Sequence, residues 1–172
     1  DDDCVVDGAA NASCFGFDPA DSTAQLQAAF ASGASLLTVD GARGSTWSVT
    51  PLTMNMSNMH VHLADGVSIV AREGFFHGTG DCLIRVENAN NLTISGGKDA
   101  TLRMRRDDYA DPTKYKHAEW RSGFWLDSTA EDITLRGLRI TESGGDGIYV
   151  HGAKNVRVED CIVDRNWRQG SK

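Results

Sequence analysis

The sequence predicts an all-β protein built as a parallel β-helix, a solenoid in which short strands stack from one coil to the next. A similar five-residue phrase occurs three times, at residues 119–123, 143–147 and 166–170. The glycines that end these phrases are spaced by 24 and 23 residues, which is a period typical of one solenoid coil. An apolar strand follows each of the first two phrases, at residues 124–126 and 148–150. Strands that recur at this period indicate stacked coils.

Short apolar segments of the same kind begin at residue 36 and are separated by Gly, Asn and Asp. Four of them are preceded by an Asn or Asp: Asn58, Asn91, Asp132 and Asn155. A buried turn whose amide side chains hydrogen-bond along the stack would explain why these residues recur. Strands this short need neighbours above and below to pair their backbones. We therefore assign residues 36–172 to β-helix coils.

The first 35 residues differ from the coils and predict an N-terminal segment with a capping helix. We expect this helix at residues 18–33, capped by Asp21 or Ser22 and ended by Gly33. A short helix at this position could cover the open end of the sheet stack.

The four cysteines divide into two kinds. Cys4 and Cys14 lie ten residues apart in a segment with little core potential, where a disulfide would stabilise the fold by about 2 to 3 kcal/mol. Cys82 and Cys161 fall in different columns of the coil alignment. We expect the second two to be buried thiols and not a second bridge.

Composition excludes some partners. The net charge of −7 disfavours nucleic acid, whose phosphates require a basic face. No apolar run approaches the roughly 20 residues that cross a bilayer, so we predict no membrane partner. Three sequons, at Asn11, Asn55 and Asn91, and a start without Met predict a secreted, trimmed glycoprotein. Unmodified asparagines in turns are the alternative.

A long charged excursion interrupts the repeat at about residues 103–120. Columns that elsewhere recur every 23 or 24 residues are 40 apart between Leu83 and Gly123. Long loops on a scaffold with short turns are often functional, although a solvated loop is the alternative. We expect three side chains of this loop to contact a substrate: Tyr109, Tyr115 and Lys116.

The last residues predict an open edge. The chain stops at residues 170–172, where the next strand would begin, and this leaves a sheet edge unpaired. We expect the β-helix to be truncated at its C-terminal end, with further coils or another chain covering this edge.

The repeated phrases also align a candidate site. They contain two Trp-Arg pairs: Trp120-Arg121 and Trp167-Arg168. In parallel columns each Trp aligns with Gly144 and each Arg with Gly145, so the glycines would leave a notch between the pairs. Asp146 lies at the edge of this notch, with Gln169 as a neighbour in its column. A structural turn, with Asp146 paired to an arginine, is the alternative.

The residue types in this site match the chemistry of sugars. Apolar sugar faces lie on Trp, hydroxyls need acceptors such as Asp, and acidic groups match Arg. We expect three residues to bind a polysaccharide: Trp120, Trp167 and Gln169. Hydrolysis needs two carboxyl groups, for which Asp146 and Glu119 are the candidates.

Elimination by a lyase would use the same site differently. Arg121 and Arg168, with Lys116 or a metal as further candidates, would neutralise a carboxylate on the substrate, and Lys116, His117 or Tyr115 would accept the proton. No cofactor is predicted. His60 and His62 share one strand face, but no third ligand is evident, so we expect exposed histidines and no metal.

The order of these features resembles secreted right-handed parallel β-helix proteins of the pectin-lyase-like superfamily. Three segments are similar to their N-terminal cap and first coils: residues 21–29, 47–52 and 61–66. Residues 145–148, Gly-Asp-Gly-Ile, are similar to the segment that supplies the first catalytic Asp of polygalacturonase-type hydrolases. One coil later, residues 168–169 are Arg-Gln where those hydrolases have two aspartates. The resemblance implies right-handed coils and a catalytic role for Asp146.

These inferences predict a function and leave an alternative. The preferred hypothesis is an extracellular β-helix that binds a polysaccharide and cleaves it as a hydrolase or lyase. The alternative is a non-catalytic structural or adhesive module of a matrix, wall or filament, in which the Trp-Arg pairs are stacking elements. The reaction cannot be assigned from a fold alone.

Overall fold

The computed structural model describes residues 2–167, and most of its regular structure is β-strand. Two short 3₁₀ turns, Asp2–Cys4 and Ala12–Phe15, and two helices, α1 (Thr23–Phe30) and α2 (Arg106–Tyr109), interrupt the strands. The first nine strands are β1 (Ala9–Asn11), β2 (Leu36–Val39), β3 (Thr46–Val49), β4 (Leu52–Met54), β5 (Met59–Leu63), β6 (Ser68–Ala71), β7 (Ile84–Val86), β8 (Asn90–Gly96) and β9 (Thr101–Arg103). The others are β10 (Trp120–Arg121), β11 (Phe124–Asp127), β12 (Glu131–Arg136), β13 (Arg139–Thr141), β14 (Gly144–Gly145), β15 (Ile148–His151), β16 (Lys154–Glu159) and β17 (Ile162–Asp164).

Most strands form three parallel sheets, and β10 and β14 form a separate two-stranded sheet. Sheet A has the order β1-β2-β5-β8-β12-β16, sheet B the order β17-β13-β9-β6-β3, and sheet C the order β15-β11-β7-β4. In sheet C, Phe124 pairs with Ile148, 24 residues later, and with Ile84, 40 residues earlier. These two spacings are those that the repeat predicted. The all-β class is therefore confirmed, with parallel pairing in each of the three large sheets.

The core lies between the sheets and is formed by alternate strand positions. Met59, Val61 and Leu63 of β5 are buried, as the alternation predicted, while His60 and His62 face outward and are half-buried. Val61 pairs with Leu37 on one side and Ile94 on the other, and all three are fully buried. Each such aliphatic side chain stabilises the fold by about 1.5–3 kcal/mol.

Helix α1 is shorter than predicted and caps one end of the sheets. Residues 18–22 form a turn because the Asp18 and Ser22 side chains bond to nearby backbone: Asp18 Oδ1 accepts from the Ala20 amide and Ser22 Oγ from the Asp18 amide. From α1, Gln27 bonds to the open edge of β4: Nε2 donates to the Thr53 carbonyl at 2.9 Å and Oε1 accepts from the Thr53 amide at 2.8 Å. The helix thus satisfies backbone groups that an edge strand would leave open.

The cysteine pairing is as predicted, but only one of the two thiols expected to be buried, Cys82, is buried, and Cys161 is half-buried. Cys4 and Cys14 form a disulfide that ties the two 3₁₀ turns on either side of β1, the strand that pairs with the edge of β2. Cys82 and Cys161 are free, and Cys82 is buried.

The recurring Asn and Asp residues occupy left-handed turns. Asn58, Asn91, Asp132 and Asn155 have φ values of 57°, 55°, 56° and 50°, a region that Asn and Asp tolerate better than most residues. Asn91 Nδ2 donates to Asn58 Oδ1 and Asn155 Nδ2 to Asp132 Oδ1, each at 3.0 Å. The predicted amide bonds along the stack are present, but all four side chains are exposed. The expectation of a buried turn was wrong because these turns lie on the outer rim.

Candidate functional site

The excursion between β9 and β10 packs on itself and on residues 72–83. Tyr109 and Tyr115 are only 4% and 5% exposed, with ring centroids 5.1 Å apart, and Phe76 lies 6.4 Å from Tyr109. The Tyr115 hydroxyl donates to the Phe75 carbonyl at 2.7 Å. Burial raises the pKa of both tyrosines. The loop therefore has a small core, and the two tyrosines predicted to contact a substrate help to form it. Lys116, the third, is exposed.

Arg121 lies inside this core. It is fully buried, and its guanidinium donates to three carbonyl oxygens: Phe76 at 2.7 Å, His77 at 3.0 Å and Lys116 at 3.1 Å. Its Cζ also lies 5.3 Å from the Tyr115 ring centroid, within cation–π range. Burial lowers the pKa of the guanidinium. Arg121 thus holds residues 72–83 against the loop, and its placement departs from the expected contact with a substrate.

The glycine pair does not form the expected notch. Strands β10 and β14 are antiparallel, with Trp120 opposite Gly145 and Arg121 opposite Gly144. The parallel alignment, which put Trp120 beside Gly144, was wrong because the chain reverses direction locally. A Cβ on Gly144 would lie 2.7 Å from the Tyr109 ring, and one on Gly145 would overlap the Glu119 carbonyl oxygen. Glycine is needed here because the loop fills the space.

Asp146 sits on a turn held by buried polar side chains. Asp146 is 5% exposed, and its carbonyl accepts from the Gly123 amide at 3.0 Å and the Ser143 hydroxyl at 3.1 Å. Asn166 is buried as well: its Oδ1 accepts from the Ser143 amide at 2.9 Å, and its Nδ2 donates to the Ile140 carbonyl at 3.2 Å. Asn166 is the first residue of the third repeated phrase. Through these two hydrogen bonds it stabilises the turn at residues 143–147, which lies one coil earlier.

Glu119 and Trp120 share a depression. It has a volume of about 360 Å³ and is lined by Thr79, His117, Ala118, Glu119 and Trp120. Trp120 is 60% exposed, and the ring centroid of the half-buried Trp167 lies 6.0 Å from that of His117. The structure therefore brings Trp120, Glu119 and His117 together. Arg168 and Gln169 lie outside the described residues.

Sequence reasoning missed an aromatic row on the outer face of sheet C. Trp125 of β11 pairs with Tyr149 of β15, and Asp127 pairs with His151. The Trp125 ring centroid lies 4.8 Å from those of both Tyr149 and His151. Trp125 and Tyr149 are half-buried and His151 is exposed. The alternation of β11, in which Phe124 and Leu126 point inward, was a signal that could have found this row.

Charged groups border this row on two sides. The Arg85 guanidinium lies 4.7 Å from the Trp125 ring centroid, and its Nη2 donates to the Gly80 carbonyl at 3.4 Å. Asp127 accepts hydrogen bonds from Trp125 Nε1 at 3.5 Å and from the Thr129 hydroxyl at 2.8 Å. The Thr129 hydrogen bond lowers the pKa of Asp127, so this carboxylate is ionised at neutral pH. From here on, the name aromatic row covers the three rings of Trp125, Tyr149 and His151 together with the two charged residues beside them, Arg85 and Asp127.

Among residues 2–167, no group of three or more His, Cys, Asp or Glu side chains could hold a metal ion. Over the same residues, neither helix is long and apolar enough to cross a membrane. The three sequon asparagines, Asn11, Asn55 and Asn91, are all exposed.

Comparison with known proteins gives one informative likeness. Neither a family model nor a curated protein matches the chain. Its structure is similar to the crystal structure of a proposed glycosyl hydrolase from Parabacteroides merdae ATCC 43184, with a TM-score of 0.69 and 14% sequence identity. The likeness covers 89% of this chain and 73% of that one. It establishes a shared fold.

Proposed function

We propose that this chain is a carbohydrate-active protein that binds a polysaccharide along the aromatic row and cleaves it by hydrolysis or elimination. The observation that carries the proposal is the placement of Trp125 and Tyr149 on the solvent side of a parallel sheet. Sugars have apolar faces that stack on such rings, and their hydroxyls bond to carboxylates such as Asp127. Arg85 and His151 can hydrogen-bond to hydroxyl or acidic groups of the bound polysaccharide.

The finer fold belongs to this proposal: a right-handed parallel β-helix of the pectin-lyase-like kind. Its support is the order of the strands, because each circuit of the chain adds one strand to sheet C, then A, then B. The related fold of the proposed glycosyl hydrolase also supports the carbohydrate-active class. A solenoid would run the aromatic row across successive coils, at about 4.8 Å per strand.

Catalysis is proposed for two carboxyl groups that precede β15 and β11 by a few residues. Asp146 is the acid or base, and Glu119 is the second carboxyl in a hydrolase. Trp120, Trp167 and Lys116 extend the binding surface, and Arg168 and Gln169 are proposed for the same surface. Arg121, Tyr109 and Tyr115 are proposed as positioning residues, because they are buried.

We also propose that the protein acts outside the cell as a glycoprotein. The disulfide between Cys4 and Cys14 supports an oxidising compartment. The exposure of Asn11, Asn55 and Asn91 would leave each sequon accessible to modification.

The test is binding and cleavage of polygalacturonate, alginate, xylan and mixed-linkage glucan. The wild type should bind at least one of them, and Trp125→Ala with Tyr149→Ala should weaken that binding at least about tenfold, or about 1.4 kcal/mol. Phe75→Ala is the control, since Phe75 is an aromatic residue that is 40% exposed and lies outside the row. Asp146→Asn should abolish cleavage with binding retained. Unchanged binding by the double variant would refute the row as the site, and full activity of Asp146→Asn would refute the catalytic role.

A structural or adhesive module is a second candidate because apolar side chains are exposed on the last strands. Val150 and Val158 are 39% and 47% exposed, whereas their partners Leu126 and Leu135 are fully buried. Ile162 is 60% exposed. Further coils or another chain stacked on these strands would bury them. Concentration-dependent assembly seen by light scattering, without binding to any of the four polysaccharides, would favour this candidate.

A further inference from the structure

Two histidines converge on one serine on the outer face of sheet A. His60 Nε2 lies 2.6 Å from Ser95 Oγ, and His62 Nδ1 lies 2.7 Å from the same atom. The histidines belong to β5 and the serine to β8, where Ser95 pairs with His62. Ser95 is 5% exposed although it faces outward, because the two imidazoles cover it. Two ring nitrogens and a hydroxyl oxygen therefore meet within hydrogen-bond distance.

This geometry is close to that of a metal site. Ligands at 2.0–2.1 Å from a metal are about 2.9 Å apart at right angles, as in tetragonal Cu²⁺ sites, and about 3.3 Å apart in a tetrahedral Zn²⁺ site. The two nitrogen–oxygen distances of 2.6 and 2.7 Å would open by a few tenths of an ångström for Cu²⁺ and by about 0.7 Å for Zn²⁺. We propose that His60, His62 and Ser95 bind a borderline divalent transition-metal ion, Cu²⁺ or Zn²⁺, through Nε2, Nδ1 and Oγ.

The donor set selects the class of ion. Imidazole nitrogen suits copper, zinc and nickel, and Cu²⁺ binds most tightly in the usual order of affinities. Calcium and magnesium prefer sites made of oxygen ligands, mainly carboxylates, and these three side chains include no carboxylate. The histidines are half-buried, so water can complete the coordination.

One positive charge lies near the site. Arg136 pairs with Ser95 from β12, and its charge acts on His60 and opposes a second positive charge there. The Glu159 carboxylate, 3.9 Å from this guanidinium, offsets part of that charge. A bound ion would join β5 to β8 and so tie two neighbouring strands of sheet A. The site lies on a different sheet from the aromatic row, so it does not depend on the proposed carbohydrate function.

The experiment is titration of the whole protein with Cu²⁺ and with Zn²⁺, followed by calorimetry. The wild type should bind one equivalent, and the double variant His60→Gln/His62→Gln should bind at least about 100-fold more weakly, since even outer-shell changes weaken metal sites 10- to 100-fold. Ser95→Ala should weaken binding at least about tenfold. His117→Gln is the matched control, because His117 is an exposed histidine elsewhere, and its affinity should equal that of the wild type.

A second measurement does not depend on variants. Electron paramagnetic resonance of the Cu²⁺ complex should show coupling to two nitrogens. The metal should also raise the melting temperature, and EDTA should reverse this increase by removing the metal. Coupling to one nitrogen, or no binding by the wild type, would overturn the proposal. Binding that is unchanged in the double variant would overturn it too, and unchanged affinity in Ser95→Ala would remove the serine ligand on which it depends.

Discussion

Replacing Arg121 by Met should destabilise the protein strongly, because this arginine is the clamp between two loops. Met keeps much of the apolar stem but removes all donors to the three carbonyls of Phe76, His77 and Lys116. A buried acceptor that loses its partner costs about 1–3 kcal/mol, and part of this is regained because a charge no longer has to be buried. We expect a net loss of about 3–5 kcal/mol, a large part of the 5–15 kcal/mol typical of a domain.

Urea unfolding followed by tryptophan fluorescence measures this loss. With an m value of about 2 kcal/mol per molar, the midpoint should fall by about 1.5 to 2.5 M. Arg136→Met is the matched control: its side chain is 46% exposed, and its nearest carboxylate, on Glu159, is 3.9 Å away, so it should cost less than about 1 kcal/mol. Trypsin should also cleave the Arg121 variant faster than the wild type after Lys114 or Lys116, because the loop that contains them is held less firmly. Equal midpoints for the two variants would refute the clamp.

Three further predictions concern the cap, the thiols and one ion pair. Gln27→Ala should lower stability by about 1–3 kcal/mol, measured by thermal unfolding, because it opens the edge of β4. Burial raises the pKa of Cys82 to about 11, so iodoacetamide at pH 8 should modify Cys161 before Cys82, as followed by peptide mass mapping; equal rates would contradict this. Hydrogen bonds from Arg139 at 3.1 and 2.8 Å lower the pKa of Asp164. The stabilisation that the ionised Asp164 contributes is therefore present above the pKa of the unfolded chain, near 4, and is lost as the pH falls through the lower pKa of the folded protein. The difference in urea midpoint between the wild type and Asp164→Asn should vanish at low pH.

Much of the fold could be predicted because stacking imposes a period. A coil of constant length puts Trp125 and Tyr149 in one column, and their spacing of 24 residues is visible in the sequence. The left-handed turns were predictable for a related reason: Asn and Asp tolerate that conformation, so they recur at Asn58 and Asp132. The short loop closed by Cys4 and Cys14 needed only local reasoning.

The candidate site was harder to predict because its contacts are not periodic. Arg121 is bound by carbonyls of residues 76, 77 and 116, and two of these come from a different excursion of the chain. Aligning coils assumes parallel neighbours, so it could not show that Trp120 faces Gly145 in an antiparallel pair. The contacts of Ser95 with His60 and His62 join residues that are 35 and 33 positions apart on β5 and β8, a separation that a search for short sequence motifs does not cover.

The alternation of strand residues explains why the neighbours Trp120 and Arg121 have different surroundings. Neighbouring residues of a strand point to opposite sides, so Trp120 is 60% exposed while Arg121 is fully buried. Arg121 holds the carbonyls of residues 76 and 77, and a few residues later Gly80 accepts a hydrogen bond from Arg85. Arg85 in turn lies over Trp125. Arg121 therefore steadies the segment that bonds to Arg85, and under the proposed function it would affect ligand binding through position and not through contact.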